Sequence, residues 1–231
     1  MLRNPADVAH LVKRWGMLPF FKGEVEGFSL EEQVQTEFWF PDSGEGVWEW
    51  KNEVMELAGC AYGKFYRGKA CFVALECFAE LANYRRSLHT TDKAGQELLD
   101  AVRRNGSLLS RDLKKMCGYT APRRRLPTNP LERAVVSENT PKPKAKPGFE
   151  AAITRLQMDC RLLIADFEYS YTRQGERYGW SVARYCTPEE YFGPEVLATA
   201  HTPQQSRNIL LRRLAQSLPQ ATPEQAERIV G

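Results

Sequence analysis

Apolar positions recur at helical spacing from the start of the chain. Val8, Leu11, Val12 and Trp15 fall at i, i+3, i+4 and i+7, which makes one buried stripe. Asn4 suits the cap, Pro5 the first turn and Gly16 the end of that helix. Residues 19–48 are turn-rich and crowded with aromatics, and a second helix is expected over 49–58 with Gly59 as its stop. The pattern then shortens to that of strands. CAYGKFY (60–66) and KACFVAL (69–75) flank Arg67-Gly68, which reads as a hairpin. A third helix, 76–86, closes a first module of residues 1–90.

The second module, 91–193, repeats the theme. A helix over 93–104 stops at Asn105-Gly106, and Ser110 is expected to cap SRDLKKMCG. In GFEAAITRLQMDC, Phe149, Ala152, Ile153, Leu156 and Cys160 keep helical spacing. Two strand-like runs follow, RLLIADFEYSY and RYGWSVARYC, joined by the polar turn TRQGE. Helix, helix, helix, strand, turn, strand is the element order of a winged helix. The expected fold is therefore helix-rich α+β: tandem winged-helix modules with small two-stranded wings and a helical tail, 194–231. Thr187, Thr202 and Thr222, each followed by Pro and then by Glu or Gln three residues on, read as helix starts.

Charge changes the picture at one place. The chain is +3 overall, but residues 121–147 hold seven basic against two acidic residues, and the rest holds 25 basic against 27 acidic. Six of the fourteen prolines lie in the same segment, which disfavours regular structure there. Arg123, Arg124, Arg125, Lys142, Lys144 and Lys146 could form a basic arm on phosphates, or a solvated loop.

Composition narrows the chemistry. No apolar run approaches the roughly 20 residues of a membrane span, and the first residues, with Asp7 and His10, do not read as a signal peptide. Six cysteines without C-x-x-C spacing suggest buried thiols of a cytoplasmic protein rather than a metal or redox site. No metal and no cofactor is expected. Trp39, Trp48 and Trp50 read as core, with a base or ligand pocket as the rarer use. Glu24, Glu26, Glu31, Glu32 and Glu37 read as solvated surface.

If 149–159 is the third helix of a winged helix, Thr154, Arg155 and Gln157 lie outward, able to reach base edges or phosphates. Arg173 and Arg177 flank the wing turn, where a basic side chain meets phosphate. Glu150 and Asp159 on the same helix would repel it.

Four stretches, GVWEWKNEV, GCAYGKFYRGKA, FEAAITRLQMDCRLLIADFEY and YGWSVARYCTPEEYFG, together with the winged-helix order, carry a resemblance. The chain resembles the AlkZ/YcaQ family of bacterial DNA glycosylases, and more closely a shorter AlkZ-related branch. The resemblance implies tandem winged helices, DNA as partner and, in active members, excision of alkylated or crosslinked bases. Active members use Gln-x-Asp or Gln-x-Gln soon after the first helix; GMLPFFKGEVEGFSLEE stands there instead. Gln33-Val34-Gln35 falls late, and Gln157-Met158-Asp159 sits in the second module. Gln35, Gln157 and Asp159 are the catalytic candidates, with none assigned. Where the family hairpin carries His and Ser, this chain has Gly68 and Cys71. Three functions stay open: a DNA-binding relative without the usual catalytic pair, a glycosylase with a diverged site, and a protein-interaction module.

Overall fold

The computed structural model describes residues 1–42, 44–121 and 145–231. The first helix, α1 (Pro5–Trp15), starts at Asn4, whose side chain accepts the Asp7 N–H, and stops at Gly16 with φ +80°. Next come a short strand β1 (Met17–Pro19), α2 (Leu30–Gln33) and α3 (Lys51–Ala58). The hairpin β2 (Cys60–Tyr66) and β3 (Lys69–Ala74) turns at Arg67 and Gly68, both with positive φ, as a tight two-residue turn requires. The sheet order is β1-β3-β2, antiparallel throughout. A long helix, α4 (Leu75–Leu88), follows.

Among the described residues, the second half runs through the same order of helices and strands. It comprises α5 (Lys93–Asn105), β4 (Ser107–Leu109), α6 (Ser110–Met116), α7 (Phe149–Met158), β5 (Leu163–Tyr171) and β6 (Arg177–Cys186). Its sheet order, β4-β6-β5, matches the first. A short helix, α8 (Pro188–Phe192), closes this half, and the tail adds α9 (Pro203–Ser217) and α10 (Pro223–Val230). The protein is thus α+β, helix-rich, with two small antiparallel sheets.

Two expectations are corrected. The sheets are three-stranded, not two-stranded, because MLP and SLL each add a strand beside the hairpin; three residues are too few to show alternation. That strand also moves the start of α6, where Leu109 holds the cap position and Ser110 is already helical. The three threonines do cap: each accepts the backbone N–H three residues on, and Thr202 and Thr222 form full capping boxes. Most of the basic segment, with Arg123, Arg124, Arg125, Lys142 and Lys144, lies outside the described residues.

Two apolar clusters form the interior, and each draws on both halves. One joins Val8, Val12, Phe20 and Phe72 to Leu98, Ile153 and Leu156. The other joins Phe28, Phe65 and Phe78 to Leu163 and Cys186, and to Leu210 and Ile229 of the tail. Trp39 packs edge-on against both Trp48 and Phe20, and Trp48 lies tilted against Phe20 in the first cluster. Trp50 is buried there too, so the three tryptophans pack as core. Five cysteines are buried and Cys117 half-buried, all with free thiols. Burial pushes Cys77, Cys160 and Cys186 up to about 11, which leaves them unreactive at neutral pH.

Candidate nucleic-acid interface

The helix expected to read bases is covered on the face that carries Gln157, while Glu150, Ala151 and Arg155 stay exposed. Gln157 has no exposure. Its oxygen accepts the backbone N–H of Lys64 at 3.0 Å and its amide donates to the Ile153 carbonyl at 3.1 Å. This corrects its outward placement: the first hairpin packs on α7 and covers it. Thr154 accepts a hydrogen bond from Lys64 Nζ at 3.1 Å, and the Gly68 N–H donates to Met158 Sδ at 3.0 Å. Arg155 is exposed but pairs with Asp92, and Glu150 pairs with Lys114 at 2.8 Å.

The catalytic candidates do not meet. Gln35 is half-buried at the cap of a 3-10 turn and makes no cap hydrogen bond. Asp159 is buried at the end of α7, 3.5 Å from His89 Nδ1, on the edge of a cavity of about 410 Å³ shared with Leu88, Arg155 and Met158. Burial raises its carboxyl above the ordinary range, against the pull of His89, Arg161, Arg85 and Arg155. Gln157 turns into the core and Asp159 toward His89, so the pair does not converge on one point. Of the glutamates of the N-terminal loop, Glu26 and Glu37 are exposed as expected, whereas Glu24, Glu31 and Glu32 hold structure. Glu24 pairs with Arg67 and Arg228. For Glu32, burial alone would raise the carboxyl, yet Ser29, the Gly27 N–H and Lys22 together hold it low.

The two wing arginines stand apart from α7, at the outer end of the β5–β6 hairpin, where residues 173–180 are all exposed. Arg177 lies 3.8 Å over the Tyr169 ring and donates to Glu45 at 3.1 Å. Arg173 makes no ion pair among the described residues. Beside them, Tyr171, Tyr178 and Trp180 are 58%, 56% and 81% exposed. Sequence reasoning missed these three rings; the available signal was aromatic residues bunched round an arginine-bearing turn. Lys146, the described part of the basic segment, is spent on Glu97 and lies over the Tyr119 ring at 4.9 Å.

Behind the hairpin is a cleft of about 480 Å³. Glu45, Glu49 and Glu53 line it from the first half, and Asp166, Glu168, Tyr171 and Arg177 from the second, with Glu45 paired to Arg177 and Glu168 to Arg184. Asn52 holds Asp166 and receives the Phe167 N–H at 3.2 Å. Lys51 sits 4.0 Å over the Phe167 ring, and burial lowers its ammonium below the ordinary value. This acidic floor repels phosphate, so a nucleic-acid strand would meet the hairpin's outer end and not the cleft. Among the described residues no group of His, Cys, Asp and Glu could hold a metal, and no helix is long and apolar enough to cross a membrane.

The class defined here is an α+β protein of two like-ordered halves, with an aromatic, arginine-bearing hairpin end exposed at one edge. A model of the AlkZ related family matches residues 2–231, and the chain belongs to that family. No curated protein and no solved structure matches it.

Proposed function

We propose that the protein is a cytoplasmic DNA-binding relative of AlkZ-type glycosylases, built as tandem winged helices and lacking the usual Gln-x-Asp or Gln-x-Gln pair. The modules would be 1–90 and 91–193, with 194–231 as a helical tail. Their shared element order and sheet order support the winged-helix reading, and family membership supports the relation to AlkZ-type proteins. The observation that carries DNA binding is the exposed hairpin end bearing Arg173 and Arg177. A wing in that position reaches phosphate without needing α7 in a groove. Arg123, Arg124, Arg125, Lys142 and Lys144 would add contacts of the same sequence-independent kind.

The test is fluorescence anisotropy of labelled duplex DNA over a salt series. Binding should fall steeply with salt. Arg173→Gln should weaken it and reduce the slope of log K against log salt by about 0.9, as expected for one lost phosphate contact. No binding at low salt would overturn the reading. The acidic cleft favours a second reading, a protein-interaction module without nucleic-acid affinity, which that same negative result would bring forward. Base excision through Gln157 is disfavoured by the complete burial of its amide.

A further inference from the structure

We infer that the outer end of the β5–β6 hairpin is a stacking platform for unpaired nucleic-acid bases, formed by Tyr178 and Trp180 with Arg173 on the flanking phosphate. The inference rests on the nucleic-acid-binding reading above and adds what kind of strand the site takes.

Three observations carry it. First, these rings have no aromatic neighbour among the described residues, whereas Phe20, Trp39, Trp48, Tyr62 and Phe72 pack against one another in the core. Leaving a tryptophan 81% exposed forgoes burial of a large apolar surface, and such surface marks a contact site. Second, the turn is held in shape before any partner arrives. The Thr172 N–H donates to the Glu176 carbonyl at 2.8 Å, and the Gly175 N–H to the Thr172 carbonyl at 3.0 Å. The Glu176 N–H donates to Thr172 Oγ1 at 3.2 Å. Gly175 takes φ +83° and Gly179 φ +71°, so the strand kinks next to Trp180. Third, the charge is suited to a strand edge. Arg173 is unpaired among the described residues, and Arg177 is held on Tyr169 and Glu45.

A duplex offers these rings little, because its bases are already stacked on each other. A single strand offers open faces, and stacking is tolerant of sequence because every base has one. The remaining carboxylates of the cleft, Glu49, Glu53 and Asp166, favour a strand on the outer end, where Arg173 is.

The experiment compares three labelled probes of equal length at low salt: an oligothymidylate, a duplex, and an abasic single strand that keeps the phosphates and lacks the bases. The oligothymidylate should bind about tenfold more tightly than either other probe. Trp180→Ala with Tyr178→Ala should remove that preference while leaving abasic-strand affinity within about twofold, and an unchanged melting temperature would confirm folding. Quenching of tryptophan emission by the oligothymidylate should shrink in Trp180→Ala. Equal affinity for the thymidylate and abasic strands overturns the platform and leaves phosphate binding standing. Tighter binding to duplex also overturns it, in favour of a ribbon lying in a groove. Binding to none of the three overturns the nucleic-acid reading and the platform together.

Discussion

Arg85 is a buried cation that makes no ion pair among the described residues, although Asp159 lies near enough to act on it. Its guanidinium donates to four carbonyls: Phe65 at 2.7 Å, Met158 at 3.0 Å, Ile229 at 2.9 Å and Val230 at 2.8 Å. Burial lowers its pKa, but an arginine starts so high that it stays charged. One side chain thereby ties the first hairpin, the end of α7 and the last helix together. Arg85→Met keeps the bulk and orphans the carbonyls, each costing about 1–3 kcal/mol before relaxation. We expect a loss of roughly 3–5 kcal/mol, comparable to breaking a buried ion pair, measured as a large drop in melting temperature; an unchanged melt would refute the clamp. Asp159 works in the opposite direction. Its carboxyl is raised, mainly by burial, above the ordinary 3.8, so the folded chain holds that proton more tightly than the unfolded chain. Its favourable contribution is present below 3.8 and is lost as pH rises through the raised value. At pH 7 the charged form therefore costs stability. Asp159→Asn should raise the melting temperature by about 2–4 °C at pH 7 and have little or opposite effect at pH 3. A lower melting temperature at pH 7 would show that the His89 contact outweighs burial.

At the scale of elements, the helix ends follow local chemistry. Thr202 and Thr222 each exchange hydrogen bonds with Gln205 and Gln225, backbone to side chain in both directions. Thr202→Ala and Thr222→Ala should each cost about 1 kcal/mol, with faster amide exchange confined to the first turn of α9 or α10. Exchange rising along the whole helix would instead mean that these ends hold the tail in place. Both hairpins were legible because their turns are short and their flanks apolar. The short strands β1 and β4 were not, since their only signal is pairing with β3 and β6, partners more than fifty residues away. The hairpin turn at Gly68 shows a local rule with a distant consequence. Its φ of +73° suits glycine, and an added Cβ would also sit 3.3 Å from Thr154 Cγ2 on α7.

For the whole molecule, the two interior clusters each combine both halves, and the second also takes in the tail. A single cooperative unfolding transition is expected by calorimetry; two resolved transitions would mean that the halves fold apart. Removing residues 194–231 should unfold the chain, because it uncovers Phe78 and Leu81, which share that cluster with the tail, and takes away two of the Arg85 acceptors. The sequence by itself determined the longer helices, the two hairpins, their order and the family, because periodicity, caps and turns act over a few residues; the four-residue α2 is too short to show a period. It placed Arg173 and Arg177 on the second hairpin for the same reason. Only the tertiary structure decided which faces are free. Gln157 borders the apolar stripe of α7 and could have faced either way; Lys64, 93 residues earlier, covers it. Trp180 lies in a strand that is half-buried from Ser181 to Arg184 and buried at Tyr185 and Cys186, yet the hairpin reaches past the body and leaves the ring in solvent. Burial of these two side chains depends on what another part of the chain places against them, and no local pattern carries that information.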